Sequence, residues 1–400
     1  MKILCVHNYY SSSTPSGENI VFENEATMLE NHGQEVVRMV RHSDEILAQG
    51  LRGLVRGGLS TPWNPSSAIA ISRIIADYRP DVVHVHNTFP LLSPSIFKSI
   101  GHRAARVLTL HNYRLVCPSA IPLRKGRICT DCVDSKSPWP ALLYGCYGES
   151  RLATVPLVFS AFLHRWLRTW HSQIDAFIAP SVFQKELMVS AGLPAERVFL
   201  KPHFFPGFPI PKPWELRDPY VLFAGRLSVE KGVEYLIRAW LEWGESAPEL
   251  RILGEGPLRT ELQQLASLMP RGRIHFLGSL PRNKTLEEIA GARLLVLPSI
   301  CYEIFSLALT EAFACGTPVA VSNIGPLPSI VIKGVNGTVF EPGNALSLYH
   351  EVQSVWNNPA SLAKLGRGAR TAFEDRYNEE RNYKMLMQIY EKVVAAGNAG

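Results

Sequence analysis

LLVLPSICYEIFSLALTEAFACGTPVAV, residues 294–321, strings a strand, a loop, a helix and a second strand into one stretch. The apolar run Leu294–Leu297 is closed by Pro298 and Ser299, which reads as a buried strand ending at a turn. Ser306 is a helix N-cap candidate. The backbone N–H groups near Phe305, Ser306 and Leu307 then point out of a helix mouth, a ready site for a phosphate or a sugar hydroxyl. Glu303 falls in the loop before that helix, and Glu311 about a turn and a half inside it. Carboxylates so placed can address different hydroxyls of one elongated ligand. The competing reading is an exposed loop glutamate beside a surface helical one.

A second stretch weighs against that reading. YVLFA, residues 220–224, is a short apolar run followed by GRLSVEKG, residues 225–232, and an amphipathic segment to about Trp243. Here the loop carries two cations, Arg226 and Lys231. A forked guanidinium and a mobile ammonium suit a diphosphate: one recognises a phosphate by plane, the other neutralises the bridging or leaving oxygen. Two strand–loop–helix units, one cationic and one with spaced carboxylates, are far more specific together than either alone.

Runs of the same buried-strand kind recur at residues 3–6, 35–39, 82–85, 107–110 and 176–179, and again at 220–224, 250–253, 274–277, 294–297 and 318–321. Helix-period segments lie between them, which predicts two doubly wound α/β halves. Four hundred residues suit two domains of ordinary size. Residues 202–219 carry five prolines from Pro206 onward and little periodicity, so they read as the hinge. The chain starts in a strand with no apolar leader before it, and the longest apolar stretch, residues 152–163, is short of a membrane span. A cytoplasmic protein is expected.

With these motifs in place, the chain resembles the retaining glycosyltransferases of family 4, which have the GT-B fold. GRLSVEKG is followed by E-x-F-S-x-x-x-x-E-A-x-x-x-G-x-P-V, residues 303–319. Gly254-Glu255-Gly256-Pro257, Phe276-Leu277-Gly278, Asn336-Gly337 and Thr109-Leu110-His111-Asn112 extend the resemblance over nearly the whole chain. It implies two Rossmann-like domains facing each other across a cleft. Residues 1–208 would bind the acceptor and 209–378 the nucleotide sugar, with a last helix, 379–400, returning to the first domain.

The resemblance also implies roles. Glu311 would hold the ribose of a UDP- or GDP-sugar, and Arg226 and Lys231 the departing diphosphate. Glu303 would grip the donor sugar with the amides of Ile304, Phe305, Ser306 and Leu307. Gly225 lies in the same donor site, and Gly17, in the Ser- and Gly-rich loop 8–18, faces the diphosphate and the acceptor. His111, at a strand end, would hydrogen-bond the donor sugar; His84 and His86 read as structural. No catalytic metal is implied. Ser329 and His203 depart from the family's usual Glu and Asn, which bears on donor selectivity. The alternatives are a GT-B enzyme that does not transfer sugar, such as a nucleotide-sugar epimerase, and a non-catalytic scaffold of polysaccharide assembly.

The charge is unevenly divided. Residues 1–208 hold 21 Lys and Arg against 15 Asp and Glu, and the remainder holds 20 of each. The excess therefore sits on the acceptor half, including Arg38, Arg41, Arg52 and Arg56. It suits a glycan or lipid-linked acceptor and peripheral contact with an anionic membrane at the inner face of the cell membrane. An ordinary solvated surface is the other reading; nucleic acid is disfavoured because no recognised motif accompanies the charge. Residues 152–170 read as an amphipathic helix, either in the core of this domain or on a membrane interface.

Cys117, Cys129, Cys132 and Cys146 crowd into the turn-rich loop 117–146, with a C-x-x-C at its centre. A loop so long needs something to order it. Four thiolates can close a tetrahedral structural zinc site; uncoordinated thiols, disulfides and an iron–sulfur cluster are the other readings. Cys5, Cys301 and Cys315 read as ordinary buried thiols.

Overall fold

A computed structural model describes residues 1–10, 16–269 and 273–398. The chain forms two compact units: Met1–Pro122 with Cys129–Pro202 and Asn382–Gly400, and Leu123–Ile128 with His203–Arg381. The strands run in chain order as β1 (Lys2–Tyr9), β2 (Glu35–His42), β3 (Val82–Val85) and β4 (Ala105–Thr109), then β5 (Leu123–Arg124) and β6 (Arg127–Ile128). They continue with β7 (Ala176–Ala179), β8 (Val198–Leu200), β9 (Tyr220–Ala224) and β10 (Glu249–Leu253). The last four are β11 (Ile274–Gly278), β12 (Leu294–Leu297), β13 (Val319–Ser322) and β14 (Gly337–Phe340).

Each unit holds a six-stranded sheet: β2-β1-β3-β4-β7-β8 in the first and β11-β10-β9-β12-β13-β14 in the second. Among the described residues, all pairings within these sheets are parallel and only the β5–β6 hairpin is antiparallel. The apolar runs explain this. A parallel sheet covered by helices on both faces must be hydrophobic at consecutive positions. In β9, Val221 and Phe223 enter one core with Leu236, Ile237 and Trp240, while Leu222 and Ala224 enter another with Leu309 and Phe313.

All ten expected strands are present, with β8 and β14 and the hairpin in addition. Strands β8 (VFL) and β14 (GTVF) are short sheet edges whose apolar runs are too brief to announce a strand.

The order of the second sheet sets up a site. Counted within its unit it is 3-2-1-4-5-6, so the winding reverses between β9 and β12, which pair at Leu294–Val221 and Leu295–Leu222. Loops leaving the carboxyl ends of two such strands border one crevice. They are the two stretches the sequence singles out. In the first sheet the reversal lies between β1 and β3, beside β4 and His111.

The last helix, Glu379–Asn398, belongs to the first unit from Asn382 onward. Gln34 Nε2 donates to Tyr383 Oη at 2.8 Å, and the rings of His32 and Tyr383 stack at 3.9 Å. Among the described residues, no helix is long and apolar enough to cross a membrane.

Candidate functional site

In the second unit, glycines let the two loops touch. Gly232 has φ +65°, and a Cβ there would lie 2.0 Å from the carbonyl oxygen of Pro298. Gly254, at φ +136°, would put a Cβ 1.8 Å from Gly225 O. Neither position tolerates a side chain. The Ile300 N–H donates to Glu230 O at 3.0 Å and the Leu227 N–H to Glu255 O at 2.9 Å, locking residues 225–232 between the β10 and β12 loops.

That contact brings Lys231 to Glu303. Lys231 Nζ donates to Glu303 Oε1 at 2.6 Å, and Ser299 Oγ donates to the same oxygen at 2.6 Å. Burial opposes the charge of both groups. Their mutual attraction outweighs it, so the Lys231 pKa is raised and the Glu303 pKa lowered. Both are ionised at neutral pH. Lys231 is therefore held by Glu303 before any ligand arrives.

Ser306 stands at the N-cap of the helix Leu307–Ala314 in extended conformation, but its hydroxyl does not cap the helix amides. Ile304, Ser306 and Leu307 are half-buried. The Phe305 side chain is buried against Tyr377 and His203. Glu311 is half-buried in that helix. Burial raises its pKa, and the Arg282 guanidinium pulls the other way. Arg226 is exposed and Gly225 half-buried. Ser299 and Arg282 have no motif signal; each is recognisable only from the groups it meets.

The first unit gathers a second set. His111 follows β4 and is buried; its Nε2 lies 2.9 Å from His86 Nδ1. Behind His86, Glu25 Oε1 lies 3.5 Å from His86 Nε2 and 3.2 Å from His84 Nδ1. Glu25 Oε2 accepts from Lys201 Nζ at 2.5 Å, and Lys201 also donates to Asn382 Oδ1 at 2.9 Å. His84 meets Tyr390 Oη and Thr109 Oγ1, each at 2.7 Å.

Burial lowers the His84 pKa to about 4 and holds that of His86 well below its ordinary value, with the neighbouring His84, His111, His7 and Lys201 adding to the latter. Both rings are neutral at pH 7. With Nε2 of His86 facing a carboxylate, its single proton belongs there; Nδ1 then accepts, and His111 Nε2 is the donor between the rings. Through this bond His86 sets the tautomer of His111, while His84 is held by Thr109 and Tyr390.

Among the described residues, Glu25, His84 and His86 are the one group of three or more metal-capable side chains with ligand atoms within 4.8 Å. The cation in that cluster is the Lys201 ammonium.

A cavity of about 80 Å³ opens beside His111, lined also by His86, Phe89, Asn112, Arg114 and Trp170. Asn112 Nδ2 donates to Glu18 Oε1 at 2.9 Å. Gly17 is the exposed first residue of the helix Gly17–Asn31; most of the Ser-rich part of loop 8–18, residues 11–15, lies outside the described residues. Sequence reasoning missed Glu18, Glu25 and Lys201. A trace of Glu25 was available, as a lone acid on a helix face otherwise made by Val21, Phe22, Met28 and Leu29.

All seven cysteines are thiols. Cys117 Sγ lies 3.1 Å from Ser119 Oγ, and Cys132 packs with Ala141, Val158 and Cys146. Burial pushes the Cys132 thiol up to about 12, with Cys117, Cys146 and Cys129 near enough to add to the shift. The four thiols thus share one neighbourhood, protonated at neutral pH at Cys132.

Two doubly wound parallel sheets, the second with a cation–carboxylate pair at its switch point, define an α/β protein of GT-B type. Residues 209–372 match the family described as Glycosyl transferases group 1, and residues 15–204 match Glycosyltransferase Family 4. The chain belongs to the family 4 glycosyltransferases.

An uncharacterized glycosyltransferase of Methanocaldococcus jannaschii is 33% identical over 44% of this chain and 45% of its own length. Glycogen synthase of Mycobacterium tuberculosis is 34% identical over 42% of each. These matches thus span less than half of the curated relatives. Among solved structures, sucrose-phosphate synthase from Thermosynechococcus elongatus superposes with TM-score 0.67, at 18% identity and 99% coverage of both chains. Anabaena HepE in complex with UDP-glucose gives 0.64, at 18% identity over 99% of this chain and 100% of that one. Both likenesses are of fold.

Proposed function

We propose that this protein is a retaining glycosyltransferase that moves a sugar from a nucleotide-diphosphate donor to an acceptor hydroxyl of a glycan or lipid-linked saccharide. One observation carries the reading: the Lys231–Glu303 pair at the switch point of the second sheet, beside the uncapped mouth of the Leu307–Ala314 helix. A cation, a carboxylate and outward amides are the parts a nucleotide sugar needs. Glu311 takes the ribose hydroxyls. Arg226 and Lys231 take the diphosphate, and Glu303 and the amides of residues 304–307 take the sugar.

On donor binding the diphosphate competes with Glu303 for Lys231, so the ammonium moves to the leaving oxygens while Glu303 turns to sugar hydroxyls. The bond from the anomeric carbon to the diphosphate breaks. The acceptor oxygen bonds that carbon on the same face, and a departing phosphate oxygen accepts the acceptor's proton. Arg226 and Lys231 stabilise the negative charge that develops there, which is the role a metal plays in other transferases. His111, its tautomer held by His86, hydrogen-bonds the donor sugar. We also propose that Cys117, Cys129, Cys132 and Cys146 bind a structural zinc ion, which would draw the gathered sulfurs together as they lose their protons.

The test is a thermal-shift series with UDP, GDP, ADP and their sugar conjugates, beginning with UDP-glucose because the structural neighbour HepE is a complex with it. Ligand at 100 times its dissociation constant should stabilise the fold by about 2.7 kcal/mol. One preferred base, with the shift reduced in Glu311→Ala and turnover lost in Lys231→Ala, is the expected result. No shift with any nucleotide would overturn the reading in favour of the scaffold. Nucleotide release that needs no acceptor would favour an epimerase.

A further inference from the structure

The helix Gly50–Ser60 is built inside out. Its buried side consists of Gly53 and Gly57, where added Cβ atoms would lie 2.0 Å from Ile46 O and 2.7 Å from Ile46 Cδ1. Its large apolar residues, Leu51, Leu54, Val55 and Leu59, recur at helical spacing on the solvent side, with Leu51 77% and Leu59 75% exposed. A surface helix of a globular protein turns that stripe inward.

The neighbouring helix Arg151–Trp166 repeats the pattern. Leu152, Val155, Phe159, Phe162 and Trp166 form one exposed stripe, with Leu152 at 86% and Trp166 at 72%. The two helices adjoin: Pro156 Cγ lies 3.4 Å from a Cβ placed on Gly58, and Ser160 Oγ donates to Thr61 O at 3.4 Å. Their stripes belong to the same unit, and exposed Trp139, Leu143 and Tyr144 lie on a short helix packed against the second. So large an apolar surface marks an interaction site.

Charge selects the occupant. Neither helix contains an Asp or Glu, while Arg52, Arg56, Arg151 and Arg165 lie on them and Arg168 follows; all five are exposed. Three other arginines of this unit are paired with acids instead: Arg38 with Glu23 and Glu30, Arg41 with Glu45, and Arg106 with Asp175. A second copy of the chain, paired about a two-fold axis, would set these arginines against one another. An anionic surface neutralises them all at once. The aromatic residues of the stripe suit the headgroup level of a bilayer, where rings with apolar bodies concentrate.

We infer that these two helices are a docking face for an anionic phospholipid bilayer, lying in its surface without spanning it. The inference goes beyond the transfer reading and does not depend on it. The inner side of the Arg151–Trp166 helix lines the His111 cavity through Leu157, Ser160 and Ala161. One helix thus stands between that cavity and the bilayer.

The experiment is flotation of the full chain with large unilamellar vesicles of phosphatidylcholine alone or mixed with phosphatidylglycerol. Binding is expected to the mixed vesicles and to fall as salt is raised. Leu54→Asp with Leu59→Asp, and separately Arg52→Glu with Arg56→Glu, should each reduce partitioning at least tenfold, given roughly fivefold per cation near an anionic surface. Because these side chains are exposed, circular dichroism and the unfolding temperature should not change. Absence of flotation with either vesicle would overturn the inference. So would equal binding to both lipids that ignores the arginine changes. Light scattering that finds a dimer dissociated by Leu54→Asp would assign the face to a second copy instead.

Discussion

Glu18 carries a carboxyl into a half-buried position beside Asn112, and burial pushes its pKa up to about 7 from an ordinary 4.5. The Asn112 amide and the Arg114 charge pull it down without offsetting burial. The sign for stability follows directly. Between pH 4.5 and about 7 the native chain holds a proton that the unfolded chain has released, so stability falls as pH rises through that window. Glu18→Gln keeps an oxygen for Asn112 and removes the titration. The variant should match the wild type near pH 4.5 and gain on it up to pH 8, by of the order of 1 kcal/mol or more, since a pKa difference of one between the folded and unfolded chain is worth about 1.4 kcal/mol. Unfolding temperatures at pH 5, 6, 7 and 8 measure this; an offset that does not vary with pH would remove Glu18 as its source. Nothing near Glu18 in sequence announces it, since Asn112 lies 94 positions away. Arg226, Lys231, Glu303 and Glu311 were legible because each sits in a local strand–loop–helix pattern. That Lys231 and Glu303 hold each other was not, because the contact depends on the Gly232–Pro298 approach between distant loops.

At the scale of elements, legibility followed the source of order. Central strands announced themselves because burial on both faces demands apolar residues at successive positions, whereas β8 and β14 are edge strands with apolar runs too short to stand out. The Cys-rich loop is the opposite case. Its turn-rich composition suggested irregular chain, yet the structure contains the β5–β6 hairpin and the short helices Asp131–Asp134 and Trp139–Tyr144. Such small elements bury little apolar surface, and the shared neighbourhood of four thiols is what a metal would use to hold them. The expected outcome is about one equivalent of zinc in protein purified without chelator, by elemental analysis. Cys129→Ser with Cys132→Ser should lose that metal, together with a cooperative part of the unfolding transition. Wild-type protein that is metal-free while all its thiols react on unfolding would end the zinc proposal.

At the scale of the whole molecule, the chain closes on itself through its last helix. The segment from Asn382 supplies Asn382 to the Lys201 ammonium, Tyr390 to His84, and Tyr383 to Gln34 and His32. It also buries Leu386, Ile389, Tyr390 and Val393. Family resemblance implied this return; local pattern could not, because the partners of the helix are residues 25–34, 84 and 201. A chain ending at Arg381 would expose four large side chains' worth of core, each worth about 1.5–3 kcal/mol, and leave Lys201 short of an acceptor. That sum approaches the whole stability of a domain, roughly 5–15 kcal/mol. The first unit should therefore lose its cooperative fold. The second unit keeps both its cores, which draw on residues 205–377. The Lys231–Glu303 pair lies wholly within it. The truncated chain should then be digested by protease through residues 1–202 while a fragment near 203–381 resists, more strongly with the preferred nucleotide present. If it instead melts and digests like the full chain, the last helix is an ornament on the first unit, and the buried network around Glu25 must be stable without it.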